Sequence, residues 1–118
     1  MSMIDTPLSE ALNRFLDVNV ARHQIITSNI ANIDTPGYRT RDIDFRRELE
    51  RASGEFQYAS FSPVARPVQG LLERPDGNNV SLEREGLLLA ETQLRFNTGV
   101  ELLRSEFRRL MTAIKEGA

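Results

Sequence analysis

Residues 29–45 read NIANIDTPGYRTRDIDF, and this stretch decides the fold because a long helical pattern ends within it. Asn29 and Asn32 lie three apart at the end of that pattern, where asparagine side chains can bond unpaired backbone groups. Pro36 cannot continue the helix, and the Pro36-Gly37 pair fits the centre of a type II turn, since proline presets φ at the first central position and glycine accepts a positive φ at the second. Such a turn fixes the direction in which the chain leaves the helix.

A helical pattern precedes this stretch. Thr6 suits a helix cap and Pro7 suits the first helical position. Apolar residues then recur at helical spacing, and Arg22 occupies one of the same positions. We therefore predict one helix from about residue 7 to about residue 32.

A second helix is predicted over about residues 80–117, where apolar residues recur every seven positions with a companion row four residues later. Gly86 and Gly99 lie inside it, each costing about 1 kcal/mol relative to alanine. Glycines at such positions indicate a helix that needs neighbours for stability or that lets another backbone come close. The apolar rows form a predicted assembly seam, which comprises Leu82, Leu89, Phe96, Val100, Leu103, Phe107, Leu110 and Ile114.

The middle of the chain lacks a helical pattern. Residues 33–51 are predicted to hold the turn and an extended segment, and residues 52–79 are rich in glycine and proline and read as irregular. Phe56 and Tyr58 alternate with polar residues, which would suit a short strand. The predicted fold is mainly α, with the N- and C-terminal helices forming an antiparallel coiled-coil-like pair around an irregular or short-β middle.

Composition excludes several classes of function. The chain of 118 residues has room for one domain, so residues 1–118 are predicted to form a single unit. A formal net charge of −2 gives no general attraction to nucleic acid or anionic membrane. The chain has no cysteine, which excludes disulfides and thiolate metal sites. It also has neither an apolar run long enough to span a bilayer nor the basic and apolar start of a secretion signal.

No residue pattern predicts catalysis, a cofactor or a metal. His23 is the single histidine and has no metal-ligand or nucleophile partner in its helical neighbourhood. Asp42 and Asp44 could imitate a catalytic carboxylate pair, but the arginines around them favour a salt-bridged surface. Residues 76–79, DGNN, lack the alternating acidic ligands of a calcium loop, so a turn followed by an asparagine helix cap is favoured.

The residues from Ala31 to Tyr38, ANIDTPGY, resemble the A-N-x-x-T-P-G-Y signature of bacterial flagellar rod, hook and related axial proteins. The RDIDF segment of residues 41–45 and the DGNNV segment of residues 76–80 narrow the resemblance to the proximal-rod type of basal-body rod protein. It covers roughly residues 8–51 and 76–117. The residues assigned to the signature turn are Asn29, Asn32, Thr35, Pro36, Gly37 and Tyr38.

The resemblance implies a structural subunit of the basal-body proximal rod, part of the axial drive shaft that transmits motor torque, and no enzyme. The implied partners are copies of the chain, other rod proteins, the rod-to-membrane-ring adaptor and the export apparatus, with no nucleic acid, small-molecule substrate or membrane insertion. It also implies export without a cleaved signal peptide. The alternative is a soluble helical coiled-coil adaptor or export chaperone, which would be fully helical and monodisperse in solution, whereas a rod subunit should have labile termini.

Overall fold

Two long helices dominate the computed structural model, which describes residues 6–52 and 63–117. The first, α1, spans Pro7–Ala31, and the last, α3, spans Leu82–Gly117. Between them lie a short strand β1 (Arg41–Ile43), a short helix α2 (Phe45–Ala52) and a second short strand β2 (Ala65–Pro67). This order confirms the mainly α fold class with a short-β middle.

The start and end of α1 follow from its terminal residues. The Thr6 hydroxyl accepts a hydrogen bond from the Ser9 backbone N–H at 3.0 Å, and Thr6 N–H donates to Ser9 Oγ at 2.8 Å. This reciprocal capping box satisfies two backbone donors that a helix start leaves free. At the other end Asn32 Nδ2 donates to the Ser28 carbonyl at 2.8 Å. The predicted first helix is therefore confirmed, with Asn32 as its cap.

The two long helices pack antiparallel to each other. Thr6 Oγ1 donates to Glu106 Oε1 at 3.4 Å at one end of the pair, and Asn29 Nδ2 donates to Glu85 Oε2 at 3.2 Å near the other. The buried row of α3 recurs every seven residues, and its members are Glu85, Thr92, Gly99 and Glu106. The predicted helix pair is confirmed.

The side of α3 that faces α1 differs from the heptad pattern read from the apolar residues alone. Phe107 and Ile114 do not complete the contact with α1, since they are 47% and 55% exposed. The buried row of α3 that faces α1 consists of polar residues and a glycine. A pattern of apolar residues therefore cannot reveal it. Many large side chains of α3 consequently remain on its outside.

Gly99 lets the two helices approach closely. A Cβ atom at this position would lie 2.8 Å from Leu16 Cδ2 and 3.0 Å from Phe15 Cδ1. Carbon atoms cannot approach so closely without movement of the packed ring or chain. This explains one of the two glycines inside the predicted helix. Gly86 has open space around it.

We expect Gly99→Val to lower the free energy of unfolding by about 1–3 kcal/mol, because the added atoms overpack the contact with Phe15 and Leu16. Gly86→Val is the matched control, and it should raise stability by a few tenths of a kcal/mol since valine is the better helix former. Urea denaturation of the purified variants measures both. Equal effects at the two glycines would contradict the close-approach role.

Helix α2 corrects the predicted extended segment of residues 33–51. Asp44 begins it, because Asp44 Oδ1 accepts from the Arg47 N–H at 3.1 Å and the Asp44 carbonyl accepts from the Glu48 N–H at 2.9 Å. The Phe45 ring packs edge to face against Phe15 with 5.3 Å between centroids. A helix of 8 residues is too short for its apolar spacing to stand out in the sequence.

The middle of the chain agrees with the sequence where the structure describes it. β1 and β2 pair antiparallel, with Arg41 opposite Pro67 and Ile43 opposite Ala65. The predicted strand at Phe56 and Tyr58 lies outside the described residues. Within residues 6–52 and 63–117, no helix has the length and apolar character needed to cross a membrane.

Candidate functional site: a polar junction at the signature turn

The turn after α1 has the geometry expected of a type II turn. Tyr38 N–H donates to the Thr35 carbonyl at 3.2 Å, which closes the four-residue turn. Gly37 has φ of 75°, the positive value that the third residue of a type II turn requires. Gly37 N–H then donates to the Asp76 carbonyl at 2.8 Å. The turn is thereby attached to a second loop far away in the sequence.

Asn78 provides most of that attachment. Its side chain is fully buried, and Nδ2 donates to the Asn32 and Thr35 carbonyls, both at 2.9 Å. Its Oδ1 accepts from the Val80 N–H at 2.8 Å. The Asn78 side-chain amide thus forms hydrogen bonds with backbone groups at the end of α1, in the turn and in the loop before α3.

The next residue continues the contact. Asn79 Oδ1 accepts from the Thr40 N–H at 2.6 Å, and Asn79 N–H donates to the Tyr38 carbonyl at 3.3 Å. The Arg74 guanidinium donates to the Ile33 carbonyl from the same loop. We call this contact between residues 32–40 and residues 74–80 the signature junction.

The signature junction corrects one sequence prediction. The DGNN segment forms the expected turn, with Gly77 at φ of 85°, but no asparagine in it caps α3. Ser81 does so, because its Oγ accepts from the Arg84 N–H at 3.2 Å and its carbonyl accepts from the Glu85 N–H. The two asparagines bond across to the other loop instead, a use that local sequence rules cannot reveal.

Asn29 joins α1, the junction and α3. Nδ2 donates to the Arg41 carbonyl at 2.7 Å and to Glu85 Oε2 at 3.2 Å. Oδ1 accepts from the Tyr38 hydroxyl at 2.9 Å and from the Arg41 N–H at 3.3 Å. Both amide protons and both lone pairs therefore have partners. Asn29 itself is 1% exposed, and its bond to Glu85 is fully buried, so that bond forms away from competing water.

Glu85 is a fully buried carboxyl group in the first turn of α3. Burial raises the pKa of Glu85 above its ordinary 4.5, and hydrogen bonding from Asn29 and the charge of Arg84 act in the opposite direction. Arg84 Nη1 lies 3.0 Å from Glu85 Oε1. A buried charge that loses one of these partners is strongly destabilising, so the position of Glu85 depends on Asn29 and Arg84.

Asp42 forms ion pairs with an arginine from each of the two long helices. Arg22 holds its two carboxylate oxygens at 3.1 and 3.2 Å, and Arg84 lies 3.3 Å from Oδ2. The sequence predicted ion pairs with the neighbouring arginines of residues 39–47, and that choice of partners is wrong for Asp42. Asp44, the other member of the supposed pair, caps α2. The apolar spacing of α1 did point to Arg22 as an inward position.

The structure separates the two groups of residues assigned from sequence. The signature-turn residues meet at the signature junction, whereas the assembly seam runs along α3 away from it. Arg95 lies 4.8 Å over the Phe45 ring of α2, and Phe96 follows about 100° further round the helix. The seam therefore lies on the flank turned away from α2, where its residues are half-buried or exposed.

His23 is exposed on α1, at the edge of a groove between the long helices. Among the described residues, no three His, Cys, Asp or Glu side chains are grouped so that they could hold a metal ion. What the site does offer is a set of directional hydrogen bonds, which fix the geometry between the helix ends.

Comparisons with known proteins agree with this architecture. The family model of the flagella basal body rod protein matches residues 19–39, which run from the middle of α1 to the residue after the turn. The flagellar basal body rod protein FlgB of Cereibacter sphaeroides is 42% identical over 109 residues, covering 80% of this chain and 83% of the relative. FlgB of Yersinia enterocolitica is 33% identical, covering 86% and 89%, respectively.

A long antiparallel helix pair with this turn at the end of its first helix, together with relatives of that kind, defines a structural protein of the flagellar basal body rod. The chain belongs to the FlgB family of flagellar basal body rod proteins. FlgB of Salmonella typhimurium, at 32% identity over 86% of this chain, is a further relative.

Proposed function

We propose that this protein is a subunit of the proximal rod, where many copies pack around the flagellar axis and transmit motor torque toward the hook. One observation carries the proposal beyond family membership. The apolar seam of α3 lies on the flank away from α2, and the described part of the chain leaves Leu82, Phe107 and Ile114 about half exposed. A protein that remained alone in water would seldom keep such a row uncovered.

The size of this surface supports assembly. Each large apolar side chain that becomes fully buried contributes roughly 1.5–3 kcal/mol. The seam therefore offers several kcal/mol that only neighbouring subunits can supply. The signature junction supports the same function in another way, because it sets the angle between the two long helices, and every copy in a polymer must repeat that angle.

The partners and location follow from this role. Copies of the chain and other rod proteins would cover the seam, and the adaptor between rod and membrane ring would meet the first copies. The protein would reach the periplasm-spanning rod through the flagellar export apparatus, without a cleaved signal peptide. Because the described contacts are structural, the proposal assigns the protein no reaction.

We expect Ile114→Asp to block rod assembly while leaving the isolated chain as stable as before. Ile114 is exposed in the single chain, so a carboxylate there stays in water. In the packed rod it would be buried without a partner, at a cost of several kcal/mol. Leu103→Asp should block assembly too, but it should also destabilise the chain because Leu103 is half-buried.

Basal bodies isolated from cells that carry each variant, together with urea unfolding of the purified chains, test this. Leu72→Asp is the control, since Leu72 is 93% exposed in the loop before the signature junction and lies outside the seam. Cells with Ile114→Asp that build complete rods and swim normally would refute the proposed role of the seam.

A further inference from the structure

A groove between α1 and α3 contains two buried polar atoms without partners. It opens on the same flank as the assembly seam and is lined by Asn19, Val20, His23, Gln24, Thr92, Gln93 and Phe96. Asn19 Oδ1 and Thr92 Oγ1 are buried there and have no hydrogen-bond partner among the described residues. Both side chains are 1% exposed.

Such atoms are costly. Leaving a buried polar group without a hydrogen bond lowers the free energy of unfolding by about 1–3 kcal/mol. Nearly all buried polar groups in proteins are therefore hydrogen-bonded. The groove has a volume of about 280 Å³, below the roughly 300–1,000 Å³ of small-molecule sites. Its lining contains no aspartate, glutamate, lysine or arginine. The expected occupant is therefore a protein side chain that donates hydrogen bonds and carries apolar neighbours.

The far end of α3 presents a surface of that chemistry. α3 passes the start of α1 at Glu106, which contacts Thr6, and continues to Gly117. Helical spacing places Arg104, Phe107, Arg108 and Met111 on one face of this extension. Phe107 and Met111 are 47% and 45% exposed.

Arg108 is the donor of this face that remains available. Arg104 is paired with Glu101 at 3.0 Å, and its neighbour Arg109 is held by Glu106 at 2.7 Å. Among the described residues no acceptor lies within bonding distance of Arg108. A guanidinium group offers five N–H donors, and its bonds to a buried carbonyl-type oxygen are stronger than those between neutral groups.

We propose that the groove receives the α3 extension of a second copy of the chain. Arg108 of that copy donates to Asn19 Oδ1 and Thr92 Oγ1, and Phe107 and Met111 cover the apolar rim. The two surfaces are different, so the contact is head to tail and each copy leaves one surface of either kind for a further copy. Contacts of this kind produce open helical polymers when the rotation from one copy to the next does not close a ring. The inference rests on the proposed rod function and adds to it which two surfaces meet.

Cysteine cross-linking tests the contact directly, because the chain has no cysteine of its own. Cells would express two copies together, a tagged Gln24→Cys chain with the cysteine at the groove and a Met111→Cys chain with the cysteine on the extension. The control pairs Gln24→Cys with Arg46→Cys, whose position on α2 is exposed and belongs to neither surface. Mild oxidation of isolated basal bodies then joins cysteines that lie in contact.

We expect the Gln24→Cys and Met111→Cys chains to form a disulfide-linked dimer at least about tenfold more abundant than the control dimer. Arg108→Met should reduce that dimer about tenfold, since a lost charge-assisted bond changes an equilibrium by at least that factor. Arg109→Met, which removes a paired arginine, should leave it nearly unchanged.

Thr92→Val adds a test in which a purely structural role predicts another outcome. Removing an unpaired buried hydroxyl without changing shape should raise the unfolding midpoint of the isolated chain. It should nevertheless lower the yield of the cross-linked dimer. A dimer yield that Thr92→Val leaves unchanged would overturn the role of the unpaired atoms.

The outcomes separate the two proposals. If the chain is absent from isolated basal bodies, the proposed function itself is rejected. If the chain is present but Gln24→Cys forms no dimer, or joins a different axial protein instead, the docking of a second copy is overturned and the rod function stands.

Discussion

Replacing Gly37 with valine should abolish swimming, because this substitution distorts the turn that every subunit repeats. Gly37 has φ of 75°, a region that a β-branched residue avoids at a cost of roughly 1–3 kcal/mol. No atom lies within 4 Å of the added Cβ, so the damage comes from the backbone and not from a collision. A turn that relaxes would break the bond from Gly37 N–H to Asp76 and displace the carbonyls that Asn78 binds.

Gly70→Val is the matched control for Gly37→Val. Gly70 also has a positive φ, 80°, and open space around its Cα, but it makes no contact in the signature junction. Gly70→Val should introduce a similar backbone strain, and cells that carry it should remain motile. Ile33→Ala and Asp34→Ala should likewise be milder, since the junction uses the backbone of Ile33. Swimming assays and counts of assembled basal bodies decide between these results, and a motile Gly37→Val strain would dismiss the turn as the source of subunit geometry.

Asn29→Asp should destabilise the isolated chain by about 3–5 kcal/mol, the usual cost of leaving a buried charge uncompensated. The substitution keeps the size of the side chain but replaces the Nδ2 donor with an oxygen 3.2 Å from Glu85 Oε2. Two carboxylates would then face each other in a buried site. The Arg41 carbonyl would also lose its donor.

The double variant Asn29→Asp with Glu85→Gln exchanges donor and acceptor across the same contact. It should recover a large part of the lost stability, because the new glutamine amide can donate to the new aspartate. Urea unfolding of the single and double variants gives the coupling energy between the two positions. If the double variant is as unstable as the sum of the single ones, the contact between Asn29 and Glu85 is not what holds the helix ends.

Glu85→Gln alone should change the pH dependence of stability. Because the pKa of Glu85 is raised in the folded chain, the folded state binds the proton of this carboxyl more tightly than the unfolded state does. The contribution of this carboxyl is therefore fully present below pH 4.5 and is lost as the pH rises through the folded pKa. Comparing unfolding of the original chain and the variant between about pH 4 and pH 7 isolates this effect, since the other carboxyls cancel in the difference.

Sequence reasoning found the elements whose signals are local. A cap, a proline at the first helical position and regular apolar spacing define α1 without reference to the rest of the chain. The Pro36-Gly37 turn is equally local, since both residues restrict their own backbone. The bounds of the long helices were accordingly predicted to within about two residues of Pro7–Ala31 and Leu82–Gly117.

The signature junction could not be predicted in the same way, because its bonds join residues about forty positions apart. Asn78 and Asn79 looked like cap residues, as isolated asparagines before a helix usually are. Their actual partners are carbonyl and amide groups of the other loop, which carry no sequence signal. The sequence also did not reveal which row of α3 meets α1. A hydrophobic pattern detects apolar residues only, and this contact is made through Glu85, Thr92, Gly99 and Glu106.

That row has a mechanical consequence. Helices held together by apolar contacts alone can slip past each other by one turn and regain similar contacts, because such contacts have no direction. Here the bonds of Glu85 and Glu106 to α1 lie about 31 Å apart along α3, so axial slip must break both together. The pair therefore resists sliding of one helix along the other at both ends, and a force applied along either helix is transmitted to the other.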